Sequence, residues 1–250
     1  MPVVESRRVD SVLHLQLNKP ERRNALSRAM LSTLAGELHR VDAAVTGVVI
    51  SGTGETFSAG ADFAEITGTS ADIDYDEAVA EVSQAITACP RVVVAALEGP
   101  CVGAAVDLAV SCDLRVAGRT SWLQLPAVRL GLLYNPEAVQ RMRSRLTDET
   151  VRRLLLLAER FDADEALAAG LVSHVVPPGA AVESALELLT GVKSEELEAI
   201  AATKDLLNAR EGSDCDTAEG FQQRRRALLD SPARRAAVSR AHQTHIHDEN

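Results

Sequence analysis

Aromatic side chains are scarce in this sequence: Phe, Tyr and Trp together make up 3% of its 250 residues. Stacking platforms for single-stranded nucleic acid need several of them on one surface, so that class of function is excluded, and the core has to be built from Ala, Val and Leu. Basic residues are also in deficit. Lys and Arg number 26 against 36 Asp and Glu, a net charge of -10, which leaves no general attraction for nucleic acid or an anionic membrane. An anionic ligand must find a local cationic patch. The four cysteines, Cys89, Cys101, Cys112 and Cys215, form no CxxC pair and no signal peptide precedes them, so a reducing, cytoplasmic home is expected. Apolar runs are short as well. The run over residues 92–97 is cut off by Glu98 and Gly99, well under the roughly 18 residues of a membrane span.

What is present is a 46% hydrophobic chain of a length that suits one large domain with a small appendage. Residues 12–17 alternate apolar and polar, which predicts a strand, and a helix over 27–45 follows with Ser27 as its cap. Short apolar runs at 48–50, 92–97 and 114–117 read as strands, the first two interior. Helical spacing occurs at 77–88, 103–111, 137–146 and 149–158. Alternation of strand and helix predicts an α/β domain with strands covered on both faces. After Val176-Pro177-Pro178-Gly179 no strand pattern remains and an Ala-, Leu- and Arg-rich helical appendage is expected. Trp122, the sole tryptophan, reads as core. His242, His245 and His247 read as part of a loose tail rather than as metal ligands.

Two segments carry chemistry. Phe57-Ser58-Ala59-Gly60-Ala61-Asp62 has only small residues between an aromatic and an acid, which lets a ligand approach main-chain N–H groups; an ordinary strand-to-helix turn has the same pattern. Gly99-Pro100-Cys101-Val102-Gly103-Ala104-Ala105-Val106-Asp107 leads from a strand into a helix, whose first N–H groups and partial positive charge suit a developing oxyanion. Asp107 falls three residues after Ala104, on the same helical face. It is equally a first-turn acid that complements the helix dipole.

Four stretches in order resemble the crotonase, or enoyl-CoA hydratase/isomerase, family: residues 18–26 (Asn-Lys-Pro-Glu-Arg-Arg-Asn-Ala-Leu), 57–62, 98–113 with its closing Cys112-Asp113, and 166–176. The resemblance implies a ClpP/crotonase-like spiral of ββα units over 1–190, a C-terminal helical subdomain over 191–243 and a tail over 244–250, assembled as homotrimers or hexamers. It implies a CoA thioester as substrate or ligand, with no permanently bound cofactor and no metal. In that scheme the thioester carbonyl accepts hydrogen bonds from the main-chain N–H groups of Ala61 and Ala104. CoA would lie against Arg22, Arg23, Ala59, Ala61, Asp62, Ile66 and Ala104, with Lys19, Lys204 and the run Arg224-Arg225-Arg226 as further phosphate candidates.

The acids depart from the pattern. Hydratases of the family use two glutamates because hydration needs one group to activate water and another to handle the α-proton. The first maps to Asp107, one methylene or about 1.5 Å shorter, and the second to Ala127, which cannot transfer a proton. The position where some isomerases of the family hold an aspartate falls on Asn135, which binds but is no base; Glu137 follows two residues later, and Tyr134 is either a donor or an apolar wall. The sequence therefore implies acyl-CoA chemistry of the isomerase type, or otherwise altered, in preference to two-glutamate hydration. The alternative is a non-catalytic acyl-CoA carrier or sensor.

Overall fold

The computed structural model describes residues 1–209 and 218–238. The chain divides into two compact units, Met1–Gly191 and Val192–Asn250.

The first unit opens with a hairpin in which β1 (Val4–Val9) lies antiparallel to β2 (Val12–Leu17). β1 has apolar residues only at its two ends and exposes Glu5 to Arg8 as an edge strand, so it carries no alternation for a sequence reading to catch. Helix α1 (Arg28–His39) is capped by Ser27, whose hydroxyl accepts from Met30 N at 3.3 Å. It ends at His39 rather than at residue 45, because Asp42 turns the chain, its carboxylate accepting from Ala44 N at 2.8 Å and its carbonyl from Val45 N at 3.2 Å. Then come β3 (Gly47–Gly52), α2 (Ile73–Ala88), β4 (Val92–Leu97), β5 (Pro100–Val102) and α3 (Ala104–Ser111). They are followed by β6 (Leu114–Gly118), β7 (Trp122–Gln124), α4 (Pro136–Arg145), α5 (Asp148–Leu156) and β8 (Arg160–Asp162). The unit closes with α6 (Ala163–Ala168), β9 (His174–Val176) and α7 (Ala181–Thr190).

The main sheet has the order β1-β2-β3-β4-β6-β9 and is parallel beyond the first hairpin; β5-β7-β8 form a smaller one. The architecture is α/β, as expected. Because side chains alternate across a strand, the register of the main sheet assigns its faces. Leu15, Leu17, Val48, Ile50, Val93, Ala95 and Leu97 belong to one core with the buried residues of α1, α2 and α3. Complete removal of each such Leu or Ile from water contributes about 1.5–3 kcal/mol. The opposite face, which carries Val12, His14 and Gly47, is covered by α7: a methyl group on Gly47 would meet Leu189 of α7 at 2.8 Å. Glu98, at the end of β4, accepts from Ala181 N, the first residue of α7, at 3.1 Å. Trp122 is half-buried on β7 rather than in the core, with the Arg160 guanidinium 4.0 Å above its ring.

The second unit contains α8 (Leu197–Asn208) and α9 (Ala218–Leu229), joined by an Arg224–Asp205 ion pair of 2.9 Å. His242, His245, His247 and the expected tail lie outside the described residues, as does Cys215. Among the described residues no helix is long and apolar enough to cross a membrane, and no group of three His, Cys, Asp or Glu side chains is placed to hold a metal.

Candidate active site

Strands β2, β3 and β4 run parallel and end along one edge of the sheet, the edge outside which open α/β sheets hold their ligands. The three segments that leave these strands are bonded to one another. Buried Asn24, at φ 53°, accepts from Lys19 N at 3.0 Å and donates to the carbonyls of Thr53 and Thr56 at 3.0 and 2.7 Å. Ala59 N donates to Arg23 O, Leu26 N to Gly60 O and Asp62 N to Leu26 O. On the other side Phe57 N donates to Glu98 O, Ser58 N to Pro100 O and Val102 N to Ser58 O. The loop 57–62 is thus held between the cationic turn and the approach to α3.

Two N–H groups are left over by this network. Leu26 and Ala61 form an isolated parallel bridge in which the flanking groups of Gly60 and Asp62 pair with Leu26, so the Ala61 N–H turns away from it. Ala104 is the first residue of α3, where an N–H has no partner within its helix. Neither N–H has an acceptor among the described residues, and both residues are half-buried. The two loops touch: Gly60 has φ +87°, and a methyl group on it would run into Val102 O and lie 3.6 Å from Ala104 N. The site needs a glycine there on both grounds. At the far end of α3, Arg145 donates to the carbonyls of Val110, Ser111 and Cys112 at 2.6–2.8 Å and Arg115 donates to Cys112 O at 3.0 Å. These cations offset the negative end of the helix.

Asp107 is placed one turn behind Ala104, and its side chain is 2% exposed. Arg141 of α4 grips it from Nη2, at 2.9 Å from Oδ1 and 3.0 Å from Oδ2, and from Nε at 3.3 Å, while Ser83 of α2 donates to Oδ2 at 3.1 Å. Burial pushes the Asp107 carboxyl up from the ordinary range, and Arg141 and Ser83 pull against that. Asn135 caps α4, accepting from Glu137 N and Ala138 N at 2.9 and 3.3 Å, and donates to Asp76 of α2 at 2.9 Å. Glu137, half-buried, accepts from Gln84 of α2 at 3.3 Å. Asp107, Asn135 and Glu137 therefore converge on one helix. Ala127 is buried in the apolar core, 7% exposed. Tyr134 packs against the same core, and its phenol stays neutral because burial and then Asp107 and Asp76 hold it well above its ordinary value.

Of the residues named for CoA, Arg22 and Arg23 are exposed and form no ion pair among the described residues. Lys19 pairs instead with buried Asp62 at 2.9 Å, and that bond keeps the Asp62 carboxyl below the usual range. Ala59 and Ile66 are half-buried along the same loop. Lys204 and Arg224 to Arg226 belong to the second unit. Arg141, Ser83 and Asp76 went unread in the sequence. The only local signal is that Asp76 and Ser83 stand seven residues apart on one face of α2.

A family model described as Enoyl-CoA hydratase/isomerase matches residues 7–241. The chain is 33% identical over 232 residues to the human mitochondrial Delta(3,5)-Delta(2,4)-dienoyl-CoA isomerase, covering 84% of this chain and 70% of that protein. It is 32% identical over 202 residues to the 2,3-dehydroadipyl-CoA hydratase of Escherichia coli, covering 80% and 79%. Among solved structures it resembles an enoyl-CoA hydratase of Mycobacterium smegmatis at a TM-score of 0.86 and 25% identity, covering 98% of this chain and 97% of that one.

Proposed function

The chain belongs to the enoyl-CoA hydratase/isomerase, or crotonase, family of enzymes, and from that premise we propose that it binds an acyl-CoA thioester and polarises its carbonyl between the N–H groups of Ala61 and Ala104. The observation that carries this reading is the pair of unpartnered N–H groups on adjoining loops. Two such donors stabilise the enolate that forms when the α-proton leaves, and each is worth about 2.7–4 kcal/mol in comparable sites. Arg22 and Arg23, next to this loop and free of acidic partners among the described residues, would take the CoA phosphates. The chain would work as a homotrimer or hexamer.

The proton-transfer groups are altered. Ala127 supplies no acid and Asn135 is committed to capping α4 and to Asp76, which leaves Asp107 and Glu137 as the carboxylates expected to move the proton. Moving a proton between two carbons through an enolate requires no activated water, so isomerisation of the acyl double bond is favoured over hydration. A second reading, a non-catalytic acyl-CoA carrier or sensor, is supported by the occupation of both Asp107 oxygens by Arg141 and Ser83.

Calorimetry with saturated, 2-enoyl- and 3-enoyl-CoAs, combined with absorbance of the conjugated thioester, separates the two. The enzymatic reading expects saturable binding and interconversion of 2- and 3-enoyl thioesters with little hydration. Binding with no turnover selects the carrier. Hydration at ordinary hydratase rates that survives Asp107→Ala contradicts the altered acid/base set, and failure to bind any CoA ester defeats both readings.

A further inference from the structure

A carboxylate one turn from a carbonyl-binding N–H is a liability as well as a resource. Negative charge on Asp107 opposes negative charge developing on an oxygen bound at Ala104 N, and it also opposes the partial positive charge of the α3 N-terminus. At 2% exposure water does not screen it. The groups that face Asp107 are Ser83 and Asp76 from α2, Tyr134 from the loop before α4, and Arg141 and Arg145 from α4. Asp76 adds to the repulsion, Ser83 and Tyr134 are neutral, and Arg145 is turned to the carbonyls at the C-terminus of α3. Arg141 is the one cation bonded to the carboxylate among the described residues, and it is itself 8% exposed.

We propose that Arg141 is a positioning residue for the thioester carbonyl: by pairing with Asp107 it cancels the charge behind Ala104 N–H and ties α3 to α4, so that this donor is presented at full strength. The proposal deepens the carbonyl-binding reading and rests on it. It also accounts for the contacts of Asp107, whose two oxygens are bonded by Arg141 and Ser83. A buried pair is costly to break on one side only, because the remaining charge has no partner, whereas neutralising both members leaves no lone charge.

The test is infrared difference spectroscopy of hexanoyl-CoA and acetyl-CoA carrying carbon-13 at the thioester carbonyl, bound to the full chain. Wild-type protein is expected to shift the carbonyl stretch to lower frequency with little dependence on pH. Arg141→Met should lose most of that shift in alkaline buffer and regain it as the pH falls and Asp107 takes up a proton, while Arg141→Lys keeps it. Adding Asp107→Asn to Arg141→Met should restore the shift at every pH, a rescue that a purely structural role for Arg141 does not predict. Should Arg141→Met fail to fold, the double variant, which buries no lone charge, carries the test: a wild-type shift, flat with pH, supports the proposal. A wild-type shift left unchanged by Arg141→Met, or not restored in the double variant, overturns it. No carbonyl shift on binding to wild-type protein would instead remove the carbonyl-binding reading on which it stands.

Discussion

Arg22 and Arg23 form no ion pair among the described residues, whereas Lys19, on the same turn, is spent on Asp62. Replacing both arginines with alanine is expected to weaken acyl-CoA binding by about tenfold or more and to flatten its salt dependence, with thermal stability little changed; calorimetry at two salt concentrations measures it. His14 makes a different kind of prediction. It is fully buried, accepts from Arg7 at Nδ1 and meets Ser51 at Nε2, and burial followed by the Arg7 charge lowers its pKa to about 4. The unfolded chain takes up this proton near 6.5 and the folded one does not, so stability falls with pH through the window from about 6.5 to about 4 and levels off below it. Denaturant titrations of His14→Gln and wild type should therefore show the wild type losing stability relative to the variant between about pH 7 and about pH 4.5. A constant difference would show that His14 takes up its proton in the folded chain over the same pH range as in the unfolded one. The small-residue loops and the cationic turn were visible in the sequence because each is a run of neighbours. Arg141 was not, since it meets Asp107 across 34 residues and nothing in a helix of mixed arginines marks one of them as buried.

Helix α4 connects its sequence to the site through its cap. Asn135→Ala removes the acceptor for Glu137 N and Ala138 N and the donor to Asp76, and a loss of about 1 kcal/mol is expected from the cap alone. Asn135→Asp keeps the cap and should lose less of that, although it sets a second carboxylate against Asp76; denaturant midpoints of both variants against wild type decide the order. Elements with internal repetition were legible at this scale. The buried strand β4 is a continuous apolar run, and the amphipathic helices α2 and α5 carry a 3.6-residue period that extends to within a few residues of their ends. The missed elements were those whose existence depends on a distant partner. β1 is an edge with apolar residues only at its ends, and the three-residue strands β5, β7 and β8 are too short to show any period.

At the scale of the whole molecule, a net charge of -10 and a scarcity of aromatics are compatible with the proposed anionic ligand because exposed Arg22 and Arg23 share one turn and main-chain N–H groups would serve the reacting carbonyl. The alanine-rich composition serves the same end, because Ala59, Ala61 and Ala104 leave the backbone accessible. The first unit also exposes a run of apolar side chains, Leu130, Leu132 and Leu133, at 62%, 54% and 89%, and a homotrimer or hexamer would give them cover. Sedimentation velocity at micromolar protein is expected to show one of these assemblies, and a monomer across that range would contradict it. The proposed chemistry turns on where a thioester oxygen sits. A crystal structure of the full chain with a bound acyl-CoA tests this most directly: the carbonyl oxygen is predicted to lie about 2.7–3.1 Å from both Ala61 N and Ala104 N, and a carbonyl bound anywhere else, with these two N–H groups facing water, would contradict it.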